Sequence, residues 1–352
     1  MRCFVEVMKI EDAIDKFYTY NCINKEIYIA GYHEYNMDEF KLVDALIAEE
    51  ILTNNIKAWL KVFDEKDSEV FLKLLSKYTY YTRRNYECLL SILFTKIEQV
   101  IISCEGRIGE VLFITGDSKS GVASGGDDLR TALKKVTKTK VNKNQIISSV
   151  SKFDIQILKN YKYFIFIDDI ISTGFTLTST VSKFLERSTS IIGEPANMFY
   201  ASIAITTSAI KFIKRKNKKL NRRVEPIGTQ NVLQSVFKRG IEFNQLSKKS
   251  TEEIIVKYEE KIDNSNKSKY SHVMGFEQSK QLISFYYNTP NNTLCSFWKE
   301  STINKPPFPR DVDKRLTLNE IKKNKRRNTN NAYNMVGDEY EGERTSDFDF
   351  YK

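Results

Sequence analysis

The stretch Phe164-Ile-Phe-Ile-Asp168-Asp169-Ile-Ile-Ser172-Thr173-Gly174-Phe-Thr176 constrains this chain more than any other. Four consecutive apolar residues read as a strand buried on both faces, the pattern of a parallel sheet covered by helices. Two carboxylates close the run, a small hydroxyl-rich loop follows, and Leu177-Thr-Ser-Thr-Val181 opens a helix. Open α/β sheets bind ligands outside the carboxyl ends of their strands. A short loop entering a helix offers unpaired N–H groups and a positive dipole end to a phosphate, and paired carboxylates accept hydrogen bonds from a vicinal diol. Diol and phosphate at this separation describe a ribose 5-phosphate. The competing reading is a buried strand ending in an Asx-type turn and an N-capped helix.

The rest of the chain fits an alternating fold. Val111-Leu-Phe-Ile-Thr115 is a second buried strand, running into the tight loop Gly116-Asp-Ser-Lys119-Ser120-Gly121. The glycine spacing and the lack of a Gly-Lys-Ser/Thr unit exclude a Walker loop. A helix is expected near Leu129–Val136, a short strand at Gln145-Ile-Ile, a long strand at Asn197–Ile205 and a basic helix from Ser208. Strands alternating with helices imply a doubly wound parallel sheet. Before it, about Glu39 to Ser103 reads as helical, with apolar stripes at three- and four-residue steps and caps at Asp67 and Thr82. Ile27-Tyr-Ile-Ala reads as a short strand. After it, Leu282–Tyr287 is strand-like and ends in the turn-rich Asn288-Thr-Pro-Asn291-Asn292-Thr. The expected organisation is a mainly helical region over 1–105 packed on the core, an α/β domain over 106–310, and a basic then acidic tail over 311–352 that is weakly folded or ordered by a partner.

Composition narrows the function classes. With 41% hydrophobic and 28% charged residues the chain is that of a globular protein, without an apolar run of membrane-spanning length or a signal-peptide pattern. Five scattered cysteines without a C-x-x-C pair indicate neither a zinc site nor a disulfide framework, and fit free thiols in a reducing cytoplasm. Two histidines, His33 and His272, exclude a histidine-rich metal centre. The net charge of +10 raises the prior for a polyanionic partner.

The strand–acid–loop–helix order resembles the diphosphoribose-binding motif of type I phosphoribosyltransferases. The wider chain resembles the phosphoribosyltransferase-like (PRTase-CE type) domain of bacterial conflict systems, as in retron-associated anti-phage effectors. The features carrying the second resemblance are the Asp64–Tyr81 segment, the Lys119-Ser120-Gly121 loop, the acidic pair, and the block from Gly275-Phe through Leu282-Ile-Ser-Phe and Thr289-Pro-Asn-Asn-Thr-Leu to Phe297-Trp298. The resemblance implies that Asp168 and Asp169 hold the ribose hydroxyls, and that Ser172, Thr173, Gly174 and Thr176 cradle the 5-phosphate. It also implies that Lys119, with Ser120 and Gly121, faces the leaving phosphates, and that Mg²⁺ bridges phosphoribosyl diphosphate, or a related nucleotide, near Asp168 and Asp169. Asn291 and Asn292 are candidates for contacting a base through their amides, against the alternative of a turn packed under Trp298. Arg310 is a candidate for a phosphate contact or a salt bridge.

Three functions stay open at this level. One is a toxic effector, released from its partner, that transfers or removes a ribosyl group. Another is a catalytically silent nucleotide sensor. The third is a structural subunit of a nucleoprotein complex. The resemblance implies a reverse transcriptase with its DNA–RNA product, or another defence-system protein, as partner. The basic runs Lys211–Arg223 and Lys322–Arg327 are either its phosphate contacts or solvated faces.

Overall fold

The computed structural model describes residues 8–21, 53–116, 125–137, 140–147, 154–192, 197–219, 224–227, 231–243, 246–263 and 272–310. Their helices are α1 (Ile10–Tyr20), α2 (53–60), α3 (Glu65–Leu75), α4 (Arg83–Ser103), α5 (Gly125–Thr137), α6 (Phe175–Ile192), α7 (Thr207–Lys219) and α8 (Lys248–Asp263). Their strands are β1 (Thr79–Tyr81), β2 (Val111–Thr115), β3 (Ile146–Ile147), β4 (Tyr163–Ile171), β5 (Asn197–Thr206), β6 (Val224–Pro226), β7 (Asn231–Leu233) and β8 (Ile283–Phe285).

The central sheet runs β3-β2-β4-β5-β6 with every pair parallel, and β7 pairs with the far end of β5. Its inner strands are apolar because helices bury both faces. On one face Phe113, Ile165, Ile167, Phe199 and Ala201 meet Leu90, Leu93, Phe94 and Ile97 of α4 and Leu129 and Leu133 of α5. On the other, Leu112, Phe164, Phe166, Met198 and Tyr200 meet Val181 and Phe184 of α6 and Ile213 of α7. The expected doubly wound sheet is therefore the observed one.

A second core lies beside the sheet. It gathers Phe17, Trp59, Phe71 and Tyr78 from the N-terminal helices with Tyr258, Met274, Leu282, Phe297 and Phe308 from the C-terminal third. The regions drawn in sequence as 1–105 and 106–310 thus share one interior, and β1 pairs in parallel with β8 across it. Periodicity marks which side chains are buried but not against what, so this pairing of segments about 200 residues apart has no sequence signature. Thr82 caps α4, accepting the Asn85 N–H at 3.2 Å. The helix start expected at Asp67 falls instead just after Asp64, whose side chain makes no capping hydrogen bond. Asp67 is buried and takes hydrogen bonds from Lys257 and Tyr258. The strand expected at Ile27–Ala30 lies outside the described residues, as do the helix expected from Glu39 up to residue 52 and the tail.

Glu259 on α8 joins the two halves of this second core. Its carboxylate is fully buried and accepts the Met274 N–H at 2.8 Å, the Ser296 N–H at 2.8 Å and the Ser296 hydroxyl at 2.7 Å. Burial raises its pKa, against these donors, which lower it. Truncation strands three buried donors, and each unsatisfied donor costs about 1–3 kcal/mol. Glu259→Ala is expected to destabilise the fold by about 3 kcal/mol or more, and Glu259→Gln, which keeps an acceptor, by clearly less. Urea denaturation of both variants checks this; equal losses would contradict the hydrogen-bond account.

Candidate active site at the carboxyl end of the parallel sheet

The chain passes from β2 outward to β3 and then crosses back to β4 on the other side of β2. The strand order therefore reverses between β2 and β4, the switch point at which open α/β sheets form a crevice. The registers deepen this crevice. β2 stops at Thr115, opposite Ile167, whereas β4 continues along β5 to Ile171. Asp168 and Asp169 stand on this overhang, with no β2 residue paired beside them. They precede the strand's end by two residues, because β4 runs past the apolar core of the motif.

The freed backbone is satisfied locally. The Asp169 N–H donates to Asp168 Oδ1 at 3.0 Å, and the Ile170 N–H donates to Asp169 Oδ1 at 2.6 Å. The Tyr287 hydroxyl donates to Asp169 Oδ2. Tyr86 packs edge-on to Tyr287 with ring centroids 5.6 Å apart, and the two phenol groups face each other beside Asp169. Burial and then the Asp169 charge raise the Asp168 pKa well above the ordinary range. Burial and Asp169 likewise keep the Tyr287 phenol protonated. Sequence reasoning missed both tyrosines. Tyr287 lies 118 residues from Asp169, in a turn after a three-residue strand, and a Tyr-Tyr pair there carries no motif.

The phosphate-type loop follows. Ser172 is anchored: its carbonyl accepts from the Thr206 hydroxyl at the end of β5, and its own buried hydroxyl has no partner among the described residues. The Thr173 hydroxyl accepts the Phe175 N–H at 3.3 Å. Gly174 has φ +76°, and a Cβ there would sit 3.2 Å from Ile213 and Phe212, so only glycine makes this turn without strain. α6 then begins at Phe175, two residues earlier than the pattern suggests. The N–H groups of its first turn have no intrahelical acceptor, and Thr176 is exposed beside Gly116, where β2 ends. Carboxylates, loop, helix start and the exit of β2 thus meet at one end of the sheet.

Other candidates fall elsewhere. Lys119, Ser120 and Gly121 lie outside the described residues. The Asn291 carbonyl accepts from the Phe276 N–H at 2.8 Å, and the Asn292 carbonyl from the Ser279 hydroxyl at 2.7 Å. A Cβ on Gly275 would stand 2.2 Å from the Asn292 oxygen. Trp298 Nε1 donates to the neighbouring Thr293 carbonyl at 2.9 Å. These are main-chain contacts of a packed turn, and the Asn292 Nδ2 is buried without a partner among the described residues. Arg310 stacks on the Trp298 ring, 5.6 Å from its centroid. Of the first basic run, Lys211, Lys214, Arg215, Lys216 and Lys218 are exposed on α7, and Lys322–Arg327 lies outside the described residues.

The described residues do not by themselves fit a chelated Mg²⁺. Three of the four oxygens of Asp168 and Asp169 already accept protein hydrogen bonds. No cluster of three His, Cys, Asp or Glu side chains able to hold a metal ion occurs among the described residues, and none of their helices is long and apolar enough to cross a membrane.

A mostly parallel α/β sheet with an acidic pair and a Ser-Thr-Gly-x-Thr loop at its switch point defines a phosphoribosyltransferase-like domain. The chain belongs to the PRTase-CE family, whose family model matches residues 56–310. No curated protein matches it.

Asp168 makes the site measurable through stability. Because its folded pKa is raised, the folded state holds the proton more tightly than the unfolded one. That contribution is fully present below the ordinary value of 3.8 and is lost as pH rises through the folded value. Asp168→Asn removes the loss while keeping an acceptor for the Asp169 N–H. The variant is expected to melt higher than the wild type at pH 7.5, by on the order of 2 °C, with the gap closing near pH 4. Scanning fluorimetry across pH checks this; a gap independent of pH would contradict the assignment.

Proposed function

We propose that this chain binds the ribose 5-phosphate moiety of phosphoribosyl diphosphate or a related nucleotide, and that it acts in the cytoplasm as the effector of an anti-phage system of retron type. The observation that supports the binding reading is the placement of Asp168, Asp169 and the Ser172–Thr176 loop at the β2/β4 switch point. In this reading the carboxylates take the ribose hydroxyls, and the loop and the first turn of α6 take the phosphate. Transfer at C1 builds positive charge on the ring, and the oxygens of Asp169, already held in place, face that charge without moving. Little covalent work is asked of the protein, since holding the ring and the acceptor in line supplies most of the effect.

The Tyr287 contact favours a second reading, a nucleotide sensor. The phenol occupies Asp169 Oδ2, an acceptor that a ribose hydroxyl would use, so ligand binding would displace it. Turnover separates the two readings. Mass spectrometry of phosphoribosyl diphosphate, NAD and nucleotide pools incubated with the protein reports transfer or hydrolysis for the enzyme and unchanged pools for the sensor.

Both readings require the carboxylates. Asp168→Asn with Asp169→Asn is expected to weaken phosphoribosyl diphosphate binding by about tenfold or more in calorimetry, with folding retained. The same variant is expected to lose phage protection in a plaque assay. A wild type without affinity for the ligand, or a folded double variant that still binds and protects, would remove the proposal.

For the partner, we propose a reverse transcriptase with its DNA–RNA product, contacted through the exposed cations of α7. Neutralising Lys211, Lys214, Arg215, Lys216 and Lys218 is expected to flatten the salt dependence of complex formation, by roughly 0.9 log unit per log unit of salt for each lost duplex-phosphate contact. A salt-independent complex would leave these lysines and arginine as a solvated face.

A further inference from the structure

We propose that the cleft between β7, β1 and the first turns of α4 is a second ligand site, which takes a free mononucleotide: one phosphorylated group with one planar aromatic ring. It is separate from the acidic-pair site and draws none of its residues from it. The cleft encloses about 820 Å³, within the range of small-molecule sites and ample for one nucleotide. Its wall includes Tyr20, Tyr80, Tyr81, Asn85, Lys238 and Arg239, and no carboxylate among the described residues lines it.

Arg239 carries the argument. Its Nε donates to the Gln234 carbonyl at 3.2 Å, and its Nη1 donates to the Lys77 carbonyl at 3.1 Å and to Thr79 Oγ1 at 2.9 Å. Those bonds fix the guanidinium in the wall. The Tyr20 phenol hydrogen-bonds the guanidinium from the cleft side, and no carboxylate among the described residues pairs with the group. Charges withdrawn from water are normally paired, and a fixed guanidinium fork held only by neutral partners is suited to a phosphate, which would take the place of the Tyr20 phenol. Lys238 is exposed at the rim, and Lys77 lies over the Tyr20 ring, 5.3 Å from its centroid, so two further cations flank the guanidinium.

The rest of the wall suits a ring. Tyr20 is 43% exposed and offers a face for stacking. Tyr81 is held rigid by stacking on Phe285, with centroids 5.2 Å apart. Asn85 faces the cleft with an amide able to donate and accept, and Leu89 and Val232 supply apolar contact. Anion, ring and amide recognition in one cleft is what a nucleotide needs, and the enclosed volume favours a single nucleotide over a strand.

The test blanks the first site. Full-length protein carrying Asp168→Asn and Asp169→Asn is titrated calorimetrically with AMP, GMP and UMP, with the matching nucleosides, with inorganic phosphate, and with a short oligodeoxynucleotide. At least one nucleotide is expected to bind, with nucleoside and phosphate alone about tenfold weaker or more. Adding Arg239→Gln is expected to weaken binding by about tenfold or more. Val232→Trp, which fills the cleft from an exposed position and leaves the guanidinium bonds alone, is expected to do the same and decides the matter if the arginine variant melts early. No nucleotide binding in the blanked background would overturn the proposal, as would binding that survives Val232→Trp. An oligodeoxynucleotide that binds more tightly than every mononucleotide would overturn it in favour of a strand-binding groove.

Discussion

The parallel pairing of β4 is the constraint on which the rest of this molecule depends. β4 is held by β2 over five residues and by β5 from Tyr163 to Ile171, and the difference in length opens the crevice. A β2 that continued beyond Thr115 would pair the edge of Asp168 and Asp169 and leave no room for a ligand beside them. The same difference obliges the two aspartates to cap the backbone N–H groups ahead of them, which fixes where their oxygens point. The geometry of the candidate site is a by-product of where one strand stops.

The second core explains why the candidate site has phenols in it. β8 is only three residues long and has a single partner in β1, so it draws its stability from packing. Phe285 stacks between Tyr81 and Tyr287, with centroids 5.2 and 5.6 Å away. This stack delivers the Tyr287 hydroxyl to Asp169 from a segment that belongs to the other core. The C-terminal third is therefore part of the site, in addition to its role in covering the N-terminal helices.

Charge is handled differently in the molecule's two clefts. At the switch point, like charges on Asp168 and Asp169 and partial burial favour protonation of one carboxyl, and the Tyr287 donor sits on the other. At the β7–α4 cleft, a guanidinium is held, among the described residues, by neutral partners. Each arrangement is costly to the folded state and gains from a ligand of the right chemistry: hydroxyl donors in the first, an anion in the second.

By itself the sequence determined the alternating α/β fold, the identity of the central strand, and the acid–loop–helix order. These follow from local properties: both-face burial of Phe164–Ile167, a glycine at the single loop position with positive φ, and helix caps such as Thr82. It also marked Asn291 and Asn292 as polar turn residues, but only the folded chain shows that their main-chain carbonyls bond Phe276 and Ser279. Only the tertiary structure decided that β2 ends one residue short of the acidic pair, that Tyr287 reaches Asp169, and that the N-terminal helices share one core with Tyr258–Phe308. Those are contacts between residues tens to hundreds of positions apart, and periodicity, capping and turn chemistry are local rules that say which face is buried and nothing about which partner buries it.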